Sequence, residues 1–340
     1  MYCAHLSVPF TSCKVLTLDN KNEKKRFSFC IVLTYPYLCT RKLCITKVMR
    51  ILGISRGVKY SPNLAEKDAA IFTAVVEALR ARGHVVSTIG EEEMAGYDFS
   101  SYDRVLTMAR DAFSLVMLEK DTDAATQAKF INSISGILAC TNKAAVMTQM
   151  LEAGIPQPEF VVGEGRNLMC CSVEDKNDVV PPLWLKNCDG SAVVAEDTVF
   201  CPTKEAFDAA FEGMEERGVH LWVAQEHQRG DLVKFYGVEG TTFFRWNYAS
   251  QGHSKFGLEA VNGKEKGYAF NPERIKLYAD MIAKKLNVPI YGGDVIIDEE
   301  GEFWFIDFND FPSFSSCREG AAQAIAKRCE MENVRWKMQG

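Results

Sequence analysis

Residues 291–314 read YGGDVIIDEEGEFWFIDFNDFPSF, and this stretch decides the fold. Val295, Ile296 and Ile297 are a short apolar run, residues 298–301 supply turn chemistry, and residues 302–309 are rich in aromatic and branched side chains. A β-hairpin is expected. Alternation along a strand puts Phe303 and Phe305 on one face with Asp307 and Asn309, and Trp304, Ile306 and Phe308 on the other. Both faces are apolar until the end of the run, as in a strand buried on both sides, so Asp307 and Asn309 need partners there. A tight turn brings Asp294 opposite or diagonal to Asp307. Three oxygen donors would then converge, a set that suits Mg²⁺ completing its shell with water and phosphate oxygens. The same residues, with Glu299 and Asp310, also suit a solvated acidic hairpin.

At 340 residues the chain exceeds one domain of roughly 150 residues, so two or three packed units are expected. A net charge of -6 argues against a general nucleic-acid binder, whose modules carry a basic face. The 12 cysteines are scattered without a C-x-x-C pair or a zinc spacing, and Cys170 beside Cys171 is poor geometry for a bridge. They read as reduced thiols of a cytosolic protein. His84, His220 and His253 lack an adjacent serine or cysteine motif, which disfavours a hydrolytic triad.

Residues 1–48 differ from the rest. Eight Lys and Arg face two Asp and Glu, leaving -12 for the remainder, and five of the cysteines are here. The apolar run at 27–39 is interrupted by Pro36 and is too short to span a bilayer. This segment is expected to be disordered or foreign to the folded protein, which would start at Met49.

From Met49 the pattern is strand (50–54), long amphipathic helix (62–82), strand (84–88), strand (102–108) and helix (110–118), followed by a short extended piece at 131–133. That order implies a small parallel, Rossmann-like sheet. It lacks G-x-G-x-x-G, so a nicotinamide cofactor is not expected. Arg56 and Arg110 each follow a strand, where ligands of open α/β sheets collect; solvated arginines fit as well. A helix over 142–153 closes at Gly154, and Lys143 in its first turn is well placed for phosphate, or is an ordinary surface lysine. Lys186 ends a buried strand at 183–186, where its charge calls for an anion. A surface helix (204–217), strands at 221–226, 232–238 and 241–246, and a helix at 272–286 lead to the hairpin. A terminal helix covers 318–328. Residues 250–267, with four glycines, His253, Lys255 and Lys264, are a candidate lid.

Several separated elements stand in a telling order: Ile131-Asn132-Ser133, Asn142-Lys143 leading to Gly154-Ile155-Pro156-x-Pro158, Leu185-Lys186, Gln225-Glu226 with Gly230-Asp231-x-x-Lys234, and Asp294 with Asp307-x-Asn309. From Met49 onward the chain thereby resembles the ATP-grasp superfamily. The resemblance implies a Rossmann-like pre-ATP-grasp domain (49–133) and an α+β ATP-grasp domain of two subdomains (134–340, central part about 158–225). It implies ATP with Lys143 and Lys186 on its phosphates, adenine against Gln225, Glu226 and His227, and Asp231 as a candidate for the ribose. Asp294, Asp307 and Asn309 would hold Mg²⁺ or Mn²⁺. Lys234 would face the transferred phosphate, and Arg318 would clamp a substrate carboxylate.

The Asn-Ser pair and the Gly-Ile-Pro-x-Pro turn resemble the ribosomal-protein glutamate ligases, which activate a carboxylate as an acyl phosphate for attack by an amine. Asp307-Phe308-Asn309 with Phe311-Pro312 is similar to the inositol polyphosphate kinases, whose acceptor is a hydroxyl. Dispersed cations favour the ligase, acting on small-molecule or peptide carboxylate and amine substrates with no nucleic acid or membrane partner. The alternatives are a small-molecule kinase and a non-catalytic ATP-binding protein. Two departures stand out: a single glycine, Gly190, in the loop expected to cover the phosphates, and Asp307 where the ligase branch more often has glutamate.

Overall fold

The computed structural model describes residues 14–20, 25–31, 47–60, 64–172, 180–188, 194–251 and 258–331. Of the expected loops, 189–191 of the phosphate-covering loop, with Gly190, and 252–257 of the lid, with His253 and Lys255, lie outside the described residues. The chain divides into residues 1–49 and residues 50–340. In the first unit β1 (Lys14–Asn20) and β2 (Lys25–Ile31) pair antiparallel, Lys14 opposite Ile31 and Asn20 opposite Lys25. Within the segment 1–48 the described residues are these two strands and residues 47–48. Phe27, Phe29 and Ile31 recur at period two, which is strand patterning.

The second unit opens with β3 (Arg50–Ser55), α1 (Ala65–Ala81), β4 (Val85–Gly90), β5 (Arg104–Thr107), α2 (Ala112–Asp121) and the short α3 (Ala124–Gln127). Both β4 and β5 run parallel to β3, in the order β4-β3-β5, so the Rossmann-like start expected from the strand–helix alternation is present. Next comes α4 (Ile134–Thr141), where only an extended piece and a turn were expected. Ser133 caps it, its Oγ accepting from Gly136 N at 3.0 Å. At eight residues the helix is too short for periodicity to declare. It bridges two cores: Ile134 and Ile137 pack with Leu52, Ile54 and Val105, and Cys140 packs with Val233 and Phe305.

After α5 (Lys143–Glu152) come β6 (Phe160–Glu164), β7 (Asn167–Cys171), β8 (Leu183–Asn187), β9 (Thr198–Cys201), α6 (Lys204–Glu216) and β10 (Leu221–Glu226), forming a five-stranded sheet in the order β7-β6-β10-β8-β9. A four-stranded antiparallel sheet, β12-β11-β13-β14, follows from β11 (Asp231–Val238), β12 (Phe244–Tyr248), β13 (Ile290–Ile297) and β14 (Phe303–Asp310). Its inner face is covered by α7 (Pro272–Leu286), through Ile275, Ala279 and Ile282. The last described helix, α8 (Arg318–Glu330), packs on α1. Among the described residues no helix is long and apolar enough to cross a membrane.

The hairpin pairs as expected at its key point, Asp294 opposite Asp307, but the register slips between Asp294 and Val295, where Asp307 gives way to Phe305 as partner. Ile306 is therefore the extra residue of a β-bulge. This corrects the expected alternation. Phe303, Phe305 and Phe308 all enter the core, whereas the consecutive residues Ile306 and Asp307 both line the open face with Asn309. One inserted residue moves Asp307 from the aromatic face to the wet one.

The bulge makes a stability prediction. Phe308→Ala should cost about 3–5 kcal/mol, as for other buried aromatic truncations. Trp304→Ala, on the opposite, partly buried face, should cost less, about 1–2 kcal/mol. Urea unfolding of both variants would check this, since unbroken alternation requires similar costs.

Candidate active site

Between the five-stranded and four-stranded sheets lies a cavity of about 390 Å³, with further walls from the loops after β3 and β5. Four lysines line it: Lys67 from α1, and three more that reach it from three other elements. Asn142 caps α5, its Oδ1 accepting from Ala145 N at 3.0 Å, so that Lys143 opens the helix. Lys143 Nζ donates to Asp307 Oδ1 at 2.8 Å. From β8, Lys186, only 6% exposed, donates to Gln225 Oε1 at 2.5 Å and to the Ile306 carbonyl at 3.0 Å. From β11, Lys234 donates to Asp294 Oδ1 at 2.9 Å. Asn309 Nδ2 donates to Asp307 Oδ2 at 2.8 Å. Gly293 permits the close passage of β14 here, because a Cβ on it would lie 2.3 Å from the Asp307 carbonyl oxygen.

The electrostatics follow from this crowding. Burial, with nearby Lys143 adding to it, lowers the Lys186 ammonium to about 8. Burial alone would raise the Asp307 carboxyl, but Lys143 and Lys186 outweigh it and hold the group well below the usual carboxylate range. Lys143 is raised, Asp307 overcoming the effect of its burial, and Asp294 raises Lys234. The site thus holds an ionised Asp307 carboxylate and a lysine that surrenders its proton easily.

Lys143, Lys186, Lys234, Asp294, Asp307 and Asn309 all line one cavity, and so do Gln225 and Glu226. Gln225 is 1% exposed, and its Nε2 is buried without a hydrogen-bond partner. Burial raises the Glu226 carboxyl.

Three expected residues are not brought there. His227 turns away: its Nδ1 accepts from Trp184 Nε1 at 3.1 Å, its ring packs 5.0 Å from Phe200, and its N–H donates to the Pro182 carbonyl. Asp231 is buried and accepts from the N–H groups of Lys266, Gly267 and Tyr268 at 2.7–2.9 Å, so it anchors that segment instead of a ribose. Arg318 begins α8 and does not line the cavity. Arg56 and Arg110 do line it, but as paired groups.

Trp184, Thr198, Gln228, Tyr236 and Asn262 line the cavity without having been singled out. Tyr236 was within reach, since Leu232, Lys234 and Tyr236 alternate along β11 and must share a face. Gln228 and Asn262 meet only through the loop fold, Asn262 Nδ2 donating to the Gln228 carbonyl at 3.1 Å.

Among the described residues no three His, Cys, Asp or Glu side chains cluster as a metal site. Asp294, Asp307 and Asn309 fit a hard cation as two carboxylates and an amide, too few to cage it and therefore dependent on outside oxygens. Lysines around those carboxylates and the orphaned Gln225 donor suit a polyanion with a polar ring at its other end.

The chain has the ATP-grasp fold. No protein-family model matches the sequence, and no curated protein sequence matches it. Solved structures do. A RimK domain ATP-grasp protein from Sphaerobacter thermophilus has a TM-score of 0.58 at 15% identity, over 82% of this chain and 98% of that one. The D-alanine–D-alanine ligase of Bacillus anthracis, complexed with ATP, has a TM-score of 0.59 at 13% identity, over 85% of this chain and 98% of that one. The corresponding ligase of Coxiella burnetii also has a TM-score of 0.59 at 13% identity, over 85% and 96% of the two chains.

An anion beside Lys186 restores its proton affinity. Binding of a polyphosphate in the cavity at about pH 8.5 should therefore take up protons, measured by calorimetry in buffers of different ionisation enthalpy, and Lys186→Met should abolish the uptake. The sign for folding is related. Unfolded lysine titrates near 10.4, so between pH 8 and that value the unfolded chain binds more protons. The penalty from Lys186, full below pH 8, shrinks as pH rises through that window.

Proposed function

We propose that the protein is an ATP- and Mg²⁺-dependent ligase that joins a carboxylate to an amine through an acyl phosphate. The observation that carries this is the cross-strand pair Asp294–Asp307, with Asn309, meeting Lys143, Lys186 and Lys234 in one cavity. The structural neighbours that are ligases support it, one of them complexed with ATP.

In this reading Lys143 and Lys186 bind the phosphates and Gln225 Nε2 donates toward the base. Asp294, Asp307 and Asn309 hold the cation, which when bound shields the charge of the phosphates. Lys234, on the same face as Asp294, stabilises negative charge on the transferred group, and the enclosed position of all three lysines strengthens that effect. The substrate carboxylate oxygen bonds to the γ-phosphorus as the bond to the leaving ADP oxygen breaks. A neutral amine then attacks the acyl carbon, and phosphate departs with the bonding pair. The acceptor end offers Tyr60, Tyr236, Ser313 and Ser315 hydroxyls, while Arg56 and Arg110 are matched by Asp68 and Asp310. With the two arginines so matched, Lys67 is the further cation in the lining, which suits one small carboxylate better than the several phosphates of an inositol phosphate.

The test is ATP-dependent ADP and phosphate release with Mg²⁺ across amino acids, dipeptides, small carboxylates and polyols. Stimulation should need a carboxylate and an amine together, and Asp307→Ala should lower it by about 10²–10³-fold. ADP released with a phosphorylated polyol, and no free phosphate, would replace the ligase by a kinase.

A further inference from the structure

Arg56 and Arg110 stand side by side because Glu91, 4% exposed, accepts from the N–H groups of Gly57 at 2.6 Å, of Asp111 at 2.5 Å and of Arg110. This ties the loop after β3 to the loop after β5. Each guanidinium then crosses to the end of β14. Arg56 donates Nε to the Met108 carbonyl, Nη1 to Asp68 Oδ2 and Nη2 to the Phe311 carbonyl, all at 3.0 Å. Arg110 donates Nη2 to the Asp310 carbonyl at 3.1 Å and lies 2.5 Å from Oδ1 of the fully buried Asp310.

The backbone they grip is unusual. Phe311 has φ +31° and Phe314 φ +48°, a left-handed region that bulky side chains avoid. Such a residue is strained and persists only where its surroundings fix it. The surroundings here are specific: both rings are fully buried, Phe311 N donates to the Ile290 carbonyl at 3.0 Å, and Arg56 takes the Phe311 carbonyl. The gripped carbonyls lie one and two residues beyond Asn309, on the strand that carries Asp307.

We propose that Arg56 and Arg110 are positioning residues for the cation–nucleotide site. They act through the backbone of residues 310–311 to fix Asp307 and Asn309 against Asp294. The inference rests on the nucleotide reading above and assigns to the Rossmann-like part a role in presenting cation ligands that belong to another sheet. Asp68 and Asp310 answer the two positive charges locally, so the device works by geometry and not by field. Lysine cannot replace Arg56, because one ammonium does not span three acceptors arranged around a planar fork.

Calorimetry with a non-hydrolysable ATP analogue tests this on the full chain, in Mg²⁺ and in EDTA, for wild type, Arg56→Lys and Arg110→Lys. Each variant keeps its charge. Binding in Mg²⁺ should weaken by about 10- to 100-fold, the usual effect of removing a group that orients metal ligands. Binding in EDTA, which relies on the lysines, should change by less than about two-fold, since no anion contact is lost. Asp68→Asn, a neutral isostere that loosens Arg56 alone, carries the same test should either lysine variant fail to fold. A smaller loss confined to Mg²⁺ supports the proposal. Equal weakening in Mg²⁺ and EDTA, or none, overturns it and leaves the arginines a purely structural role. Wild type that does not bind the analogue in Mg²⁺ would instead remove the nucleotide reading itself.

Discussion

Asp294 and Asp307 face each other across an antiparallel pair. Two like charges in that position repel, and in a half-buried site one carboxylate would ordinarily take up a proton. Most of what surrounds them answers this conflict. Lys143 arrives on a capped helix start, Lys234 from the neighbouring strand and Lys186 from the other sheet, so the two sheets are drawn toward one point by opposite charge. The cavity is the space left where they meet.

The bulge at Ile306 is the geometric counterpart of that arrangement. An extra residue frees a strand from its ladder and bends it. Here it turns Asp307 out of an aromatic core, and Lys186 takes the Ile306 carbonyl. Other bonds fix the ends of the same hairpin. Asn132, 1% exposed, accepts from Ile290 N at 3.0 Å and donates to the Ile290 carbonyl at 2.9 Å. The Asn-Ser pair, conspicuous in the sequence ahead of the first lysine, is thus a clamp on β13 and a cap on α4.

How much of this was legible depended on range. Polar residues ending an apolar run pointed to Lys186, Asp307 and Asn309, and the expected hairpin turn added Asp294; all four line one cavity. The bulge was invisible because no glycine or change of composition marks it. Asp231 and His227 misled because spacing along a chain does not say which way a side chain turns; the partners of Asp231 come 35 to 37 residues later. The bonds from Arg56 to Phe311 and from Arg110 to Asp310 span 255 and 200 residues, so no local pattern announces them. The short α4 lay below the length at which periodicity speaks.

The lysine–carboxylate pairs form a closed circuit with consequences for the order of events. A polyanion that draws Lys143 and Lys234 toward itself strips Asp307 and Asp294 of their counter-charges, and a cation is what they then require. A cation arriving alone meets carboxylates already engaged by lysines. In the proposed reading each ligand would remove an obstacle to the other, so their affinities would be linked, each raising the other's by the same factor through thermodynamic reciprocity. A site wired in this way would respond to the anion–cation complex far more sharply than to either part.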